Sequence, residues 1–224
     1  MDPGPLSRVE SIAVADEHTH THAHDHEHDH AHGEHDHDHD EHDGDDEAAD
    51  AEREHIRRHA LAQIRQYPDV ALRMKAREVT EFDDFLVQLV ERMIGLMGDA
   101  QGVGLAATQV GVLQRLFVFD QGEDGGTHAV VNPRLVGLSD DKETEEEGCL
   151  SLEGIRVPVT RSTKLTLEGQ DPEGRDVSFK LEGLSARVVQ HEVDHLDGVL
   201  IIDRTDDEHR KEALGTLRPQ TVLR

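Results

Sequence analysis

Apolar residues recur at steps of three and four from Phe82 through Phe85, Leu86, Leu89, Val90, Met93 and Ile94 to Met97, the spacing that gathers them on one face of an α-helix. The pattern predicts a core-facing helix that starts at Thr80, with Asp83 three residues on. Beyond Gly104 the period changes. Short runs rich in Val, Leu, Phe and Ile occupy residues 115–120, 129–132, 155–159, 164–168 and 176–181 and read as strands. Asp171-Pro-Glu-Gly174 is a turn between the last two. Helical spacing returns at Leu184, Val188, Val189, Val193 and Leu196. Ser185 stands where an N-cap is needed there, and Gly198 lies just past the end. Helix-like sequence continues beyond Arg204. The order helix, strands, helix predicts an α+β domain with mostly antiparallel strands rather than alternating βαβ units.

The first 54 residues follow neither period. They hold 19 Asp or Glu against 2 Arg and 12 of the 18 histidines, so most of the net charge of -26 lies there. Large apolar residues are almost absent between Ala15 and Glu54, and such a stretch cannot bury enough surface to offset its ordering entropy. We expect a disordered His/Asp-rich acidic tail over 1–54 and one globular domain over 55–224. The tail reads either as a solvated leader, from an extended gene start included, or as a tract at residues 18–42 that buffers or delivers divalent metal.

No apolar run approaches the roughly 18 residues that span a bilayer, and the N-terminus lacks the basic start and apolar core of a signal peptide. A soluble, cytoplasmic protein with no membrane partner is expected. The acidic balance argues against nucleic acid. The single cysteine, Cys149, has no internal disulfide partner, which suits a reducing compartment.

Chemistry-bearing residues concentrate in three segments. The first, His191-Glu192-Val193-Asp194-His195, places two imidazoles four residues apart, hence on one helix face and able to reach one ion, with Glu192 beside it. His26-Glu27-His28-Asp29-His30 repeats the spacing, but only the later copy has apolar neighbours at helical intervals to hold it rigid. Alone, Cys149 reads as a buried small hydrophobe. Joined to His191 and His195 it completes a set suited to a catalytic metal with an open position. The third segment, residues 102–111, contains Gly102, Gly104 and Ala107 in the loose dinucleotide pattern G-x-G-x-x-A. That pattern needs a strand before and a helix after; here the order is reversed, and nucleotide binding is rejected. Glycine there lets the backbone approach a ligand closely, and Gln109 offers an amide donor.

Together the segments resemble the peptide deformylases. The signatures G-x-G-L-A-A-x-Q, E-G-C-x-S and H-E-x-D-H are matched in order by residues 102–109, 147–151 and 191–195, and similarity extends from about Gln63 to around Arg204. The resemblance implies antiparallel sheets packed around a central metal-binding helix, with an N-terminal and a C-terminal helix. It implies a hydrolase that removes the N-formyl group from the formyl-methionine of newly synthesised proteins at the ribosome, releasing formate. Cys149, His191 and His195 would hold the metal, Fe2+ by the family's habit, with Ni2+, Co2+ or Zn2+ able to use the same ligands. Glu192 would move the proton, and the Gln109 amide and Leu150 N–H would meet the oxygen that gains charge. Backbone at Val103 and Gly104 would align the peptide as an added strand. A metal-binding or metal-storage protein that has lost activity is the rival class; intact Cys149, Glu192 and Gln109 speak against it. A zincin-type protease would not carry the cysteine-bearing loop.

Overall fold

Helix α2 (Asp84–Asp99) starts four residues later than its stripe suggested, because Asp83 caps it: the Asp83 carboxylate accepts from the Leu86 N–H at 3.0 Å. Leu86, Leu89, Val90, Met93, Leu96 and Met97 are buried. Phe82 precedes the helix, and Phe85 faces outward, 59% exposed. The protein is described by a computed structural model over residues 42–122 and 125–217. The repeated histidine motif at His26 and nearly all of the His/Asp tail lie outside those residues.

Helix α1 (His42–Leu61) crosses the boundary drawn at residue 54, so part of the expected tail is helical. Ala48, Ala49 and Ala51 favour that state, and charged pairs at helical spacing, Arg53 with Asp50 and Arg57 and Arg58 with Glu54, support it. A one-turn 3₁₀ helix follows at Val70–Arg73.

The strands are β1 (Gly104–Ala106), β2 (Leu116–Asp120), β3 (Thr127–Val136), β4 (Lys142–Gly148), β5 (Arg156–Ser162), β6 (Lys164–Gln170) and β7 (Asp176–Glu182). All pair antiparallel, as a five-stranded sheet ordered β1-β2-β3-β6-β7 and a separate β4-β5 ribbon. Alternation along β2 ties the sheet to both its helices: Leu116 and Val118 join the α2 core, while Phe117 and Phe119 join the core of α3 (Gly183–Leu196). A third core gathers Val157 and Val159 of β5 with Leu200, Ile202 and Ala213, the last on α4 (Asp207–Thr216).

Ser185 is not the cap of α3. The helix starts at Gly183 behind Glu182, which makes no side-chain cap, and the Ser185 hydroxyl reaches the Gln121 carbonyl instead. Leu184 is 65% exposed rather than in the core. The far end behaves as expected: Gly198 has φ +74°, and a Cβ there would sit 2.6 Å from the Arg73 carbonyl oxygen. Helix α3 is thereby fixed between the sheet and the ribbon, whose β5 backbone at Ser162 is held by the Gln190 side chain.

Candidate metal centre

Four-residue spacing on α3 brings the His191 and His195 rings to a centroid distance of 4.9 Å. Cys149 arrives from a different element, just past the end of β4. One candidate ligand atom from each of the three residues falls within 4.8 Å of the others, with Cys149 Sγ 3.2 Å from His195 Nε2. His191 Nδ1 is paired with Glu147 at 3.1 Å, which leaves Nε2 as the ring's ligating atom, the carboxylate–histidine arrangement common at metal sites. Among the described residues, His195 Nδ1 and Glu192 Oε2 are buried without a hydrogen-bond partner. Such groups are costly unless something further satisfies them. Ligand chemistry and spacing fit a divalent cation, and the unpartnered Glu192 Oε2 is left for a group held beside it.

Glu147 anchors a buried charge network. It accepts from Arg161 at 2.9 and 3.0 Å and from Arg187 at 2.8 Å, and Arg161 continues to Asp194 at 2.6 Å. Arg204 closes the chain on Asp194 at 2.9 Å. Burial opposes ionisation of Glu147, but hydrogen bonds from His191 and Arg161 prevail and hold its carboxyl at about 2. Glu192 has no such donors. Burial, with a contribution from the Glu147 charge, pushes it up to about 7 against the pull of His191 and Arg161. Burial also drives His195 well below the usual imidazole value, aided by the neighbouring His191 and Arg161 charges, so that it stays neutral.

Gln109 is 1% exposed. Its Oε1 accepts from the Ala106 N–H at 2.8 Å, and its Nε2 donates to Ser151 Oγ at 3.1 Å and lies 3.9 Å from Cys149 Sγ. The Ser151 N–H faces the same sulfur at 3.4 Å. The Leu150 carbonyl is held by Gln66, and among the described residues the Leu150 N–H donates to no protein acceptor.

β1 lies at the edge of its sheet. The Val103 carbonyl accepts from Asp120 at 3.0 Å, so alternation along the strand turns the Gly104 N–H and C=O away from β2, toward the open edge. Gly104 also permits Glu192 to approach: a Cβ there would stand 2.3 Å from Glu192 Oε1. A cavity of about 550 Å³ joins this edge to Gln109, Cys149, Leu150, His191 and Glu192. The structure thus brings all eight candidate residues to one place, although the Val103 carbonyl is already engaged.

The sequence reading missed Glu147, Arg161, Arg187, Asp194 and Arg204 as site components. A signal was present, since Arg161 and Arg187 stand at inward positions beside apolar neighbours, where a buried cation demands an anion. Nothing in linear spacing named that anion.

Comparison with known proteins bears on the cluster. Residues 61–211 match the family model of polypeptide deformylase. The chain belongs to that family. Peptide deformylase 1 of Corynebacterium glutamicum is 46% identical over 161 residues, covering 71% of this chain and 95% of the relative. The crystal structure of peptide deformylase from Thermotoga maritima superposes with a TM-score of 0.62 at 48% identity, covering 64% of this chain and 96% of that one. The Ehrlichia chaffeensis peptide deformylase gives a TM-score of 0.66 at 32% identity over 69% of this chain and 93% of that one. Deformylase membership makes the chain an enzyme with the α+β fold of those structures, and it leaves residues before Leu61 outside the matched segment. Among the described residues no helix is long and apolar enough to cross a membrane.

Proposed function

We propose that the chain hydrolyses the N-formyl group of formyl-methionine at the start of newly made polypeptides, releasing formate and a free amino terminus. One observation carries the reading: a Cys-His-His cluster and a buried carboxylate meet beside an open strand edge. Cys149, His191 and His195 would hold one divalent ion, which when bound lowers the pKa of water and polarises a carbonyl. The ligand set does not choose among Fe2+, Ni2+, Co2+ and Zn2+; the resemblance favours Fe2+.

The remaining steps fall to the chain's own groups. Glu192 takes a proton from the attacking water as its oxygen bonds to the formyl carbon. The same carboxyl delivers that proton to the peptide nitrogen as the C–N bond breaks, and a value of about 7 suits both directions near neutral pH. Gln109 Nε2 and the Leu150 N–H are the donors for the carbonyl oxygen while it carries negative charge, and losing one such donor typically costs about 2.7–4 kcal/mol. The Gly104 N–H and C=O align the peptide as an added strand, beside Val103.

Release of formate from formyl-Met-Ala-Ser by the metal-loaded protein, lost in Glu192→Ala, is the expected result; no formate from the loaded wild type would falsify the proposal. The expected setting is the cytoplasm, where chains emerge from the ribosome. For the tail, we propose metal buffering on composition alone. A metal-to-protein ratio unchanged by deleting residues 1–54 rules that out.

A further inference from the structure

Helix α1 turns a narrow stripe inward. From Ala48 to His59 every residue is exposed except Arg57, which is half-buried; the stripe continues with Ala60, Leu61 and Ile64, exposed by 2%, 6% and 3%. Spacing of three and four from Ala60 and Leu61 makes Arg57 the next member of the inward face, yet the residue there is a cation. Packing explains the stem of such a side chain but not its charged end. Arg57 lines the cavity that holds Cys149, His191 and Glu192, and it lies before Leu61, outside the segment matched to the deformylase family.

The guanidinium is weakly committed. Its nearest anions, Glu54 on its own helix and Glu153 just past the cysteine loop, each stand 3.7 Å away, beyond hydrogen-bond range. Glu153 is itself 60% exposed, and exposed pairs of this kind contribute little. A carboxylate brought in by a ligand can replace Glu153 at little cost and gain the bidentate geometry that arginine offers. The other two arginines of the cavity are committed: Arg156 donates to the Glu146 carbonyl, and Arg187 to Glu147 and to the Val159 and Glu143 carbonyls.

We infer that Arg57 is a specificity-determining residue that receives a carboxylate of the peptide substrate beyond its formyl-methionine. The inference rests on the deformylation reading above. The carboxylate has two sources, an Asp or Glu side chain or the free C-terminus of a short peptide, and Arg57 serves either.

The test compares the full-length, metal-loaded protein with Arg57→Ala, Arg57→Glu and Arg57→Lys on four substrates: formyl-Met-Ala-Ser as free acid and as amide, and the amides of formyl-Met-Ala-Asp and formyl-Met-Ala-Lys. The expected result is that Arg57→Ala lowers the preference for carboxylate-bearing peptides over the neutral amide roughly two- to fivefold, through KM rather than kcat. Arg57→Glu shifts preference toward the Lys peptide, Arg57→Lys restores part of the original order, and Glu153→Gln strengthens the acidic preference. A response to the free acid alone identifies the terminal carboxylate, and a response to Asp alone the side chain; each supports the role. Substrate ratios that stay flat across the Arg57 variants, while the wild type deformylates the neutral amide, overturn this inference alone. A wild type inactive on the neutral amide overturns the deformylation reading, and this one with it.

Discussion

Two carboxylates near the cluster differ by what donates to them. Glu147 is held at about 2 by His191 and Arg161, whereas Glu192, also buried but without donors, rises to about 7. Their substitutions therefore separate. Glu147→Gln leaves Arg161 and Arg187 short of an anion, and breaking a buried pair in this way costs roughly 3–5 kcal/mol; urea unfolding is expected to show that loss. Glu192→Gln is expected to keep fold and metal content while kcat for formate release falls roughly 10²–10⁴-fold. Gly104→Ala forces a Cβ to within 2.3 Å of Glu192 Oε1, so the carboxylate must move, and kcat should drop with little change in the unfolding midpoint. The two histidines and Glu192 were legible as candidates because they lie within five residues of one helix, whereas Cys149, 46 residues from His195, joined them chiefly through the family resemblance. Glu147 was not, because its partners lie 14 and 40 residues along the chain and only folding brings them together.

Among the elements, those with a clear apolar period were legible and those without one were not. β4 reads Lys-Glu-Thr-Glu-Glu-Glu-Gly, and only its Glu147 is buried; a strand whose one inward residue is charged has no alternation to detect. β1, at three residues, is too short to show a period. Helix ends were misplaced for a related reason. Both Thr80 and Ser185 are competent caps by type, but Asp83 and Glu182 take those positions, the Ser185 hydroxyl donating instead to the Gln121 carbonyl. The Asp83 cap predicts that Asp83→Ala lowers unfolding stability by about 1 kcal/mol and leaves formate release intact, since the cap lies on the opposite end of α2 from the cavity residue Ala100.

At the scale of the molecule, ion pairs bind segments distant in sequence. Arg73, in the 3₁₀ turn after α1, pairs with Asp203 beyond α3. Burial resists ionisation of Asp203, but donation from Arg73 and the Leu200 N–H holds its carboxyl below the usual range. A depressed folded value means that the stabilisation is complete above the unfolded value of about 3.9 and is lost as pH falls through the lower folded value. The gap in urea midpoint between pH 7 and pH 3 should therefore narrow in Arg73→Ala; an undiminished gap would assign the acid sensitivity elsewhere. The α+β class was visible from element order alone. The reach of α1 back to His42 was not, since a polar, acidic stretch looks alike whether coiled or helical when its stability comes from local propensity and exposed charge pairs.

The brevity of β1 also limits how much of a substrate the enzyme can read. Three residues span about 10 Å, and within them Gly104 alone turns both backbone groups outward with no partner. An incoming chain can be gripped by its backbone over only its first few residues before the edge ends. Past that grip no strand is left to hold the backbone, so a short edge suits a catalyst that must process many unrelated protein starts, and it offers equally little foothold for another copy's strand to stack against.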